Sequence, residues 1–410
     1  MEILYISSVP SPTEFQHTKD TFRQGFIYGM NESGYKFHTL ILNGMCAHPD
    51  VRIRSVVGRS VSMRTHDGLF WGKTVEKLSD KLEYVHIGFI NIPVIKHACI
   101  GVGYFTQTLK WLWQNRGKEK AIVMDASYIT AHPFVLIPAK FAKCHITAIF
   151  CDLYEYMADV RDARNNERVS LPRRIARSVA QTSYRKLDSF ILLTEKMNRA
   201  VNHLKKPHIV MEGLVDVNMQ TVPNTMENKN PNSVVMYAGA LRAQYGLKNL
   251  VEGFMDYTND NARLWIYGAG DYENDILKAS EKDPRIFFGG MIPLQEAVNQ
   301  ELKASVLVNA RPAGMEFTQY SFPSKNMEYM VSGTPVLTTR LPGMPADYYE
   351  HIFTIDGDSP RDVTAALESV FTNTPDQLHE KGLKARKFVL EKKNNVIQAG
   401  RILSLISEKE

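Results

Sequence analysis

The first apolar run, EILYIS, is continuous rather than alternating, the pattern of a strand buried on both faces of a parallel sheet. A loop with Pro10 and Pro12 follows. The next periodic stretch predicts a helix from about Thr18 to Glu32, and KFHTLIL reads as the second strand. Strand-like runs recur at EYVHIGFI, AIVMDA, HITAIF, DSFILLT and HIVMEG, with helical periodicity between most of them. This alternation predicts βαβ units and a doubly wound sheet.

The pattern breaks near Gly213. VDVNMQTVPNTMENKNPNS is polar, Asn-rich and punctuated by proline, and reads as a linker over 216–232. A second βαβ series begins at 233, with strands expected at VVMYAGA, ARLWIYGAG, RIFFGG, ASVLVNA, TPVLTT and HIFTID. Helices fit LKNLVEGFMDY, YENDILKAS, LQEAVNQELKAS and SKNMEYMVS, and the tail from about Pro375 is helical. The expectation is an α/β protein of two Rossmann-like domains, 1–215 and 233–385, with a ligand cleft between them at the carboxyl ends of the strands.

Length agrees, since a single core seldom grows beyond roughly 250–300 residues and the chain has 410. Composition is ordinary for a globular protein, 44% hydrophobic and 23% charged, and a net charge of +5 is too weak to argue for nucleic acid. The four cysteines form no CxxC pair, which favours free thiols in a reducing cytoplasm over a disulfide or zinc framework. MEILYISSVPS is too short, and too acidic at Glu2, for a signal peptide. The longest apolar stretch, FVLIPAKFAKCHITAIF, is interrupted by Lys140 and Lys143 and does not span a bilayer. YGAGDYEND carries G-x-G after a strand but no third glycine, which argues against a nicotinamide cofactor.

The chemistry concentrates in YSFPSKNMEYMVSGTPVLTTRLPG, Tyr320 to Gly343. Pro323 ends a loop, a helix starts at Ser324, and Gly333 suits a left-handed C-cap. Met327, Met330 and Val331 make the buried stripe, while Ser324 and Glu328 share another face. A helix N-terminus suits phosphate, and Lys325 adds a cation. Pro323 has no N–H, so Ser324, Lys325 and Asn326 would be the amide donors. A carboxylate one turn in, Glu328, can accept two hydrogen bonds from a vicinal diol such as a ribose. The bland alternative is a surface helix whose Glu328 pairs with a nearby lysine.

The stretch resembles the donor-binding motif of glycosyltransferase family 4, the retaining GT-B enzymes, and VLVNARP together with YSFPSKNMEYMVSGTPVLTTRLPG is similar to a sub-group that builds capsular and exopolysaccharides. The resemblance covers most of the chain. It implies two facing Rossmann-like domains, with the C-terminal helix, 386–410, returning to the first. It implies that Glu328 binds the ribose of a nucleotide-sugar, that no cofactor or metal takes part, and that the donor is UDP-linked. The family's first glutamate falls at Tyr320, so Tyr320 or nearby Glu316 takes the contact with the transferred sugar. The family has Gly-Arg and a later lysine at the diphosphate. AGALRAQYGLKN keeps Gly239 but has Ala240 and Tyr245 in those places, leaving Arg242, Lys248, Arg311 and Lys325 as replacement cations. The loop ending FFGGMIP offers Gly290 and Met291 to the base.

The N-terminal domain is expected to carry the acceptor, a lipid-diphosphate-linked or saccharide molecule. Cys151 stands where the family often has a functional histidine, and Asp152 follows it as a group that could orient sugar or acceptor. SSVPSPTEFQHTKD replaces a glycine-rich loop, with Glu14, His17 and Lys19 as candidates to line the cleft. Residues 161–186 carry eight Lys/Arg, and YFTQTLKWLWQNRGKEK adds Trp111 and Trp113, which together fit peripheral contact with an anionic membrane. A solvated basic face with a buried tryptophan pair is the alternative. The competing functional readings are a GT-B nucleotide-sugar epimerase and a non-catalytic sugar-nucleotide-binding partner of another transferase.

Overall fold

The computed structural model of the chain describes residues 1–23, 32–153 and 171–407. It divides into two compact units, Met1–Glu212 with Asn395–Glu410, and Gly213–Asn394.

In the first unit the strands are β1 (Glu2–Ser7), β2 (Arg52–Val57), β3 (Phe70–Trp71), β4 (Thr74–Lys77), β5 (Leu82–His86), β6 (Phe89–Ile90), β7 (Lys120–Asp125), β8 (His145–Phe150), β9 (Ser189–Leu192) and β10 (His208–Val210). Eight of them form one sheet in the order β10-β9-β8-β7-β1-β2-β5-β4, and β3 pairs with β6. Only β4 runs antiparallel in the large sheet. The winding reverses between β1 and β7, the place where open α/β sheets bind ligands.

Two expectations fail in this unit, and one strand was not anticipated. KFHTLIL is not a strand but the middle of a helix, Glu32–Ala47. Its His38, Leu40, Ile41, Leu42 and Met45 are all buried, so the run lacks a polar face and cannot be told from a strand by periodicity. The last helix, Asn395–Ser407, causes part of this. It lies so close that a Cβ at Gly44 would fall 2.1 Å from the Asn395 carbonyl oxygen. The helix expected from Thr18 to Glu32 is instead Pro12–Asp20, capped by the Ser11 hydroxyl with Pro12 at its first position; residues 24–31 lie outside the described part. Finally, RIRSVV is a central strand. Arg52 and Arg54 hide it, and Arg54 is neutralised by Glu83 on β5, Nε to Oε2 2.7 Å.

In the second unit the expected strands are present: β11 (Ser233–Ala240), β12 (Ala262–Ala269), β13 (Ile286–Gly290), β14 (Val306–Asn309), β15 (Val336–Thr339) and β16 (Phe353–Ile355). They form one parallel sheet, β13-β12-β11-β14-β15-β16, which reverses between β11 and β14. Its faces are covered by separate apolar layers, one around Leu250, Phe254 and Leu367, the other around Met327, Met330 and Tyr348. The Asn-rich stretch after Gly213 folds with this unit. Asn224 Nδ2 donates to the Ser332 carbonyl at 2.9 Å and Lys229 Nζ to the Ala304 carbonyl at 3.0 Å. Helix Pro375–Lys392 also packs here, whereas Asn395–Ser407 rejoins the first unit. No described helix is long and apolar enough to cross a membrane.

Candidate functional site

The chemically dense end of the second unit is where β11 and β14 part. Pro323 precedes the helix Ser324–Ser332, which ends on Gly333 at φ +80°. Met327, Met330 and Val331 are buried in the expected stripe. Two further polar residues lock the helix down. The Tyr329 hydroxyl both accepts from the Ala238 amide (2.9 Å) and donates to its carbonyl (3.1 Å), clasping the helix to β11 near its carboxyl end. Asn326 is buried, accepts from Asn309 Nδ2 (2.8 Å) and donates to Thr338 Oγ1 (3.3 Å), so the first turn is tied to the ends of β14 and β15. Its amide donates to the Pro323 carbonyl at 3.0 Å. Asn326 therefore builds the helix start, and of the three expected amide donors only Ser324 and Lys325 are left unused by the helix.

Lys325 and Glu328 meet on the open face of this helix, Nζ to Oε2 2.9 Å. The lysine runs past Gly239 at the end of β11, where a Cβ would stand 3.1 Å from Lys325 Cε. A side chain at 239 would need Lys325 to give way by a few tenths of an ångström. Burial disfavours the Lys325 ammonium, yet Glu328 and then the buried Glu301 outweigh it, and its pKa is raised. The site holds a fixed positive charge beside a carboxylate. The bland alternative for Glu328 is partly realised, since its lysine partner is the phosphate candidate itself.

Arg311, just after β14, lies over two rings, with Cζ 4.6 Å from the Phe317 centroid and 5.3 Å from that of Tyr245. Burial drives the Tyr237 phenol up to about 12, and the charges of Lys325 and Arg311 both oppose that rise. The Tyr237 hydroxyl itself donates to the Ala240 carbonyl at 2.9 Å.

The other candidates of this unit spread out. Arg242 is exposed at the start of the turn Ala243–Tyr245. Lys248 is exposed and faces Glu252 one helical turn on, at 3.9 Å. Gly290 ends β13, the edge strand, and Met291 beside it is exposed. Glu316 is exposed on the turn Glu316–Gln319, and Tyr320 caps that turn through its amide to Phe317 O, 3.0 Å. The loop carrying both is pinned by Asp358, whose carboxylate accepts from the Ala313 and Gly314 amides at 2.8 and 2.9 Å. Sequence reasoning missed Tyr329, Asn309, Asn326 as a hub, and Asp358. A polar Asn at a buried wheel position beside Met327 was the available signal for one of them.

In the first unit Glu14 is not an open acceptor-side group. It pairs with buried Arg59 at 2.5 Å, and Arg59 also donates to the carbonyls of Gly72 and Ile87, each at 2.9 Å. His17 is exposed, with its ring 6.0 Å from Trp71, and Lys19 pairs with Glu32 at 3.2 Å. Asp152 is exposed after β8. Cys151 turns inward, its Sγ 4.0 Å from His38 Nε2. The same imidazole lies 3.7 Å from Asp125 and accepts or donates at 2.6 Å with the Tyr5 hydroxyl. Among the described residues no group of three or more His, Cys, Asp or Glu is placed to hold a metal ion. Of the basic stretch, residues 161–170 lie outside the described part; Arg174, Arg177, Arg185 and Lys186 are exposed. Ile175 is exposed as well. Trp111 is buried and Trp113 exposed, so the tryptophans are not a buried pair.

Residues 232–373 match the family described as glycosyl transferases group 1. The whole chain superposes on solved structures of one architecture. The fold is GT-B. A sucrose-phosphate synthase from Thermosynechococcus elongatus matches with TM-score 0.66 and 13% identity over 99% of both chains. Anabaena HepE in complex with UDP matches with TM-score 0.65 and 12% identity over 99% of this chain and 100% of that one. The lipopolysaccharide outer core galactosyltransferase WaaB matches with TM-score 0.61 and 14% identity over 99% of both. No curated protein matches by sequence.

Proposed function

We propose that the protein is a glycosyltransferase that moves a sugar from a UDP-linked donor to an acceptor hydroxyl with retention of configuration. The observation that carries this reading is the convergence of Gly239, the Ser324 helix start, Lys325 and Glu328 at the β11/β14 reversal, inside the part matched by the glycosyltransferase family. Helix amides and Lys325 would hold the diphosphate, and Glu328 would accept from the ribose hydroxyls. HepE in its UDP complex supports uridine as the base.

In the proposed reaction the acceptor oxygen bonds to the anomeric carbon as the carbon–oxygen bond to the β-phosphate breaks. The hydroxyl proton passes to the departing diphosphate oxygen. Negative charge grows on that diphosphate, and fixed cations and amides stabilise it without reorganising. No covalent protein residue and no divalent ion is required; activity should persist in a chelator. Tyr320 or Glu316 remains the proposed contact to the sugar, and Asp152 the group proposed to orient sugar or acceptor.

A lipid-linked acceptor, and surface polysaccharide as the product, are further parts of the proposal. The helix Pro93–Gln114 supports a membrane-facing role. It exposes Val94, Val102, Leu109 and Trp113 yet contains no acidic residue, and Arg116 stacks on Trp113 at 4.9 Å. The test is a screen of UDP- and GDP-sugars with and without a polyprenyl-diphosphate sugar, read by mass. Product only with acceptor is expected. Hydrolysed or isomerised donor would point to the epimerase reading, and binding without turnover to a non-catalytic partner. Glu328→Ala should weaken UDP binding by roughly tenfold or more, through loss of a charge-assisted contact. Unchanged affinity by calorimetry would remove Glu328 from the ribose.

A further inference from the structure

We propose that Asp358 is a positioning residue that sets the sugar-contacting turn of the donor site, and through it the choice among UDP-sugars, independently of the grip on the nucleotide. The inference rests on the donor reading above and divides that site into two separately anchored halves.

The nucleotide half stands on the sheet itself. The helix Ser324–Ser332 is tied to β11 through Tyr329 and to the ends of β14 and β15 through Asn326. The sugar half is the segment between β14 and that helix, which carries Glu316 and Tyr320. Its start is fixed by close approach. Gly246 has φ +80°, and a Cβ there would fall 1.8 Å from the Ala310 carbonyl oxygen. The turn Ala243–Tyr245 after β11 therefore leads into a residue pressed against the end of β14, and only glycine allows it. A few residues on, the chain meets Asp358. Both carboxylate oxygens are engaged, Oδ1 by the Ala313 amide at 2.8 Å and Oδ2 by the Gly314 amide at 2.9 Å. Two bonds from one carboxylate to consecutive amides fix the direction of the backbone as well as its place. The charge on the acceptor makes each stronger than a neutral bond.

The clamp has a firm base. Asp358 follows β16, and its carbonyl accepts from Asn249 Nδ2, on the helix Leu247–Asp256, at 2.6 Å. Ser359 beside it caps the helix Pro360–Val370 in a reciprocal box with Asp362. From the clamp, hydrogen bonds lead on to the turn. The buried Thr318 Oγ1 shares its proton between the carbonyls of Ala313, at 2.9 Å, and Met315, at 2.6 Å. The Thr318 amide donates to the Met315 carbonyl and the Tyr320 amide to the Phe317 carbonyl, each at 3.0 Å. Ala313 is thus held by Asp358 through its amide and by the turn through its carbonyl. Moving it moves the turn Glu316–Gln319, with Glu316 on it and Tyr320 at its end. The helix start keeps its own ties through Asn326 and Tyr329.

The experiment is calorimetric titration of the full chain with UDP, UDP-glucose, UDP-galactose and UDP-N-acetylglucosamine. The wild type should hold one of the three sugars about tenfold or more above the weakest. Asp358→Ala should lower affinity for that preferred UDP-sugar by about 5- to 20-fold, flatten the preference, and leave UDP within about twofold. Asp358→Asn should behave like Asp358→Ala, because its NH2 would face an amide N–H. The side chain is exposed, and UDP binding at wild-type strength shows that a variant is folded. Equal losses for UDP and UDP-sugar would mark a general structural role and overturn the inference. So would an unchanged preference in both variants, or a wild type that holds all three sugars equally. If the wild type does not bind UDP, the donor reading itself fails, and this inference with it.

Discussion

The two sheets are wound alike and end differently. Where β1 and β7 part in the first unit, the carboxyl ends are plugged with mutually satisfied groups. Tyr104 donates to the Ser7 carbonyl at 3.0 Å and accepts from the Gly58 amide at 2.7 Å, and Tyr5, His38 and Asp125 form the buried chain beside them. Where β11 and β14 part in the second unit, the polar hub of Asn309, Asn326 and Thr338 lies underneath, and Lys325, Glu328 and Arg311 lie partly open above it. Buried polar groups that satisfy one another make a rigid floor; charges that stay partly open are available to a ligand. The same topological position thus yields a plug in one unit and a candidate charged site in the other.

Gly246→Ala should do the most damage to the charged end. It places a methyl against a backbone carbonyl at positive φ, at a cost of at least about 4 kcal/mol, and should lower the melting temperature while abolishing UDP binding. A variant that melts like wild type would mean that the turn does not need its present path. Acid should separate the two ends next. Burial pushes His86 and His132, both in the first unit, down to about 4, with Arg59 adding to the effect on His86. An imidazole with a folded pKa below its unfolded value binds less proton in the fold. Its contribution is full above about pH 6.5 and is lost as pH falls from there towards 4, on the order of 3 kcal/mol per histidine. Hydrogen exchange, corrected for intrinsic rate, should show the first unit loosening before the second between about pH 6.5 and 4.5. Simultaneous loosening would deny the difference.

Asn326→Ala should cost about 2 kcal/mol, by stranding the Asn309 amide and Thr338 hydroxyl, and should weaken UDP binding only through the displaced helix start. Chemical denaturation reads the first effect and calorimetry the second; a loss of affinity with no loss of stability would reassign Asn326 to the ligand. Lys248→Ala is the smallest change. Its exposed pairing with Glu252 predicts a stability shift within about 0.5 kcal/mol and unaltered UDP affinity.

Much of the second unit is legible in its sequence. Its strands are short, separated by turn residues and regularly alternated with amphipathic helices, so each local preference agrees with the fold. The first unit is harder because its tertiary context overrides local pattern. The helix Glu32–Ala47 is covered on so many sides that it imitates a strand, and β2 hides behind two arginines, of which Arg54 is neutralised by Glu83, 29 residues away. At the candidate site, Lys325 and Glu328 are recognisable from helix spacing. Arg311 is found only as one of several cations, since no local pattern reveals that the turn after β11 presses against the end of β14. Lys248, equally basic in sequence, faces solvent.

The central claim, that the charged end of the second sheet is the donor site, is most directly tested by mapping amide protection on adding UDP. Protection confined to residues 239–246 and 310–328 is the predicted result. Protection at the ends of β1 and β7, with none at the β11/β14 reversal, would contradict it.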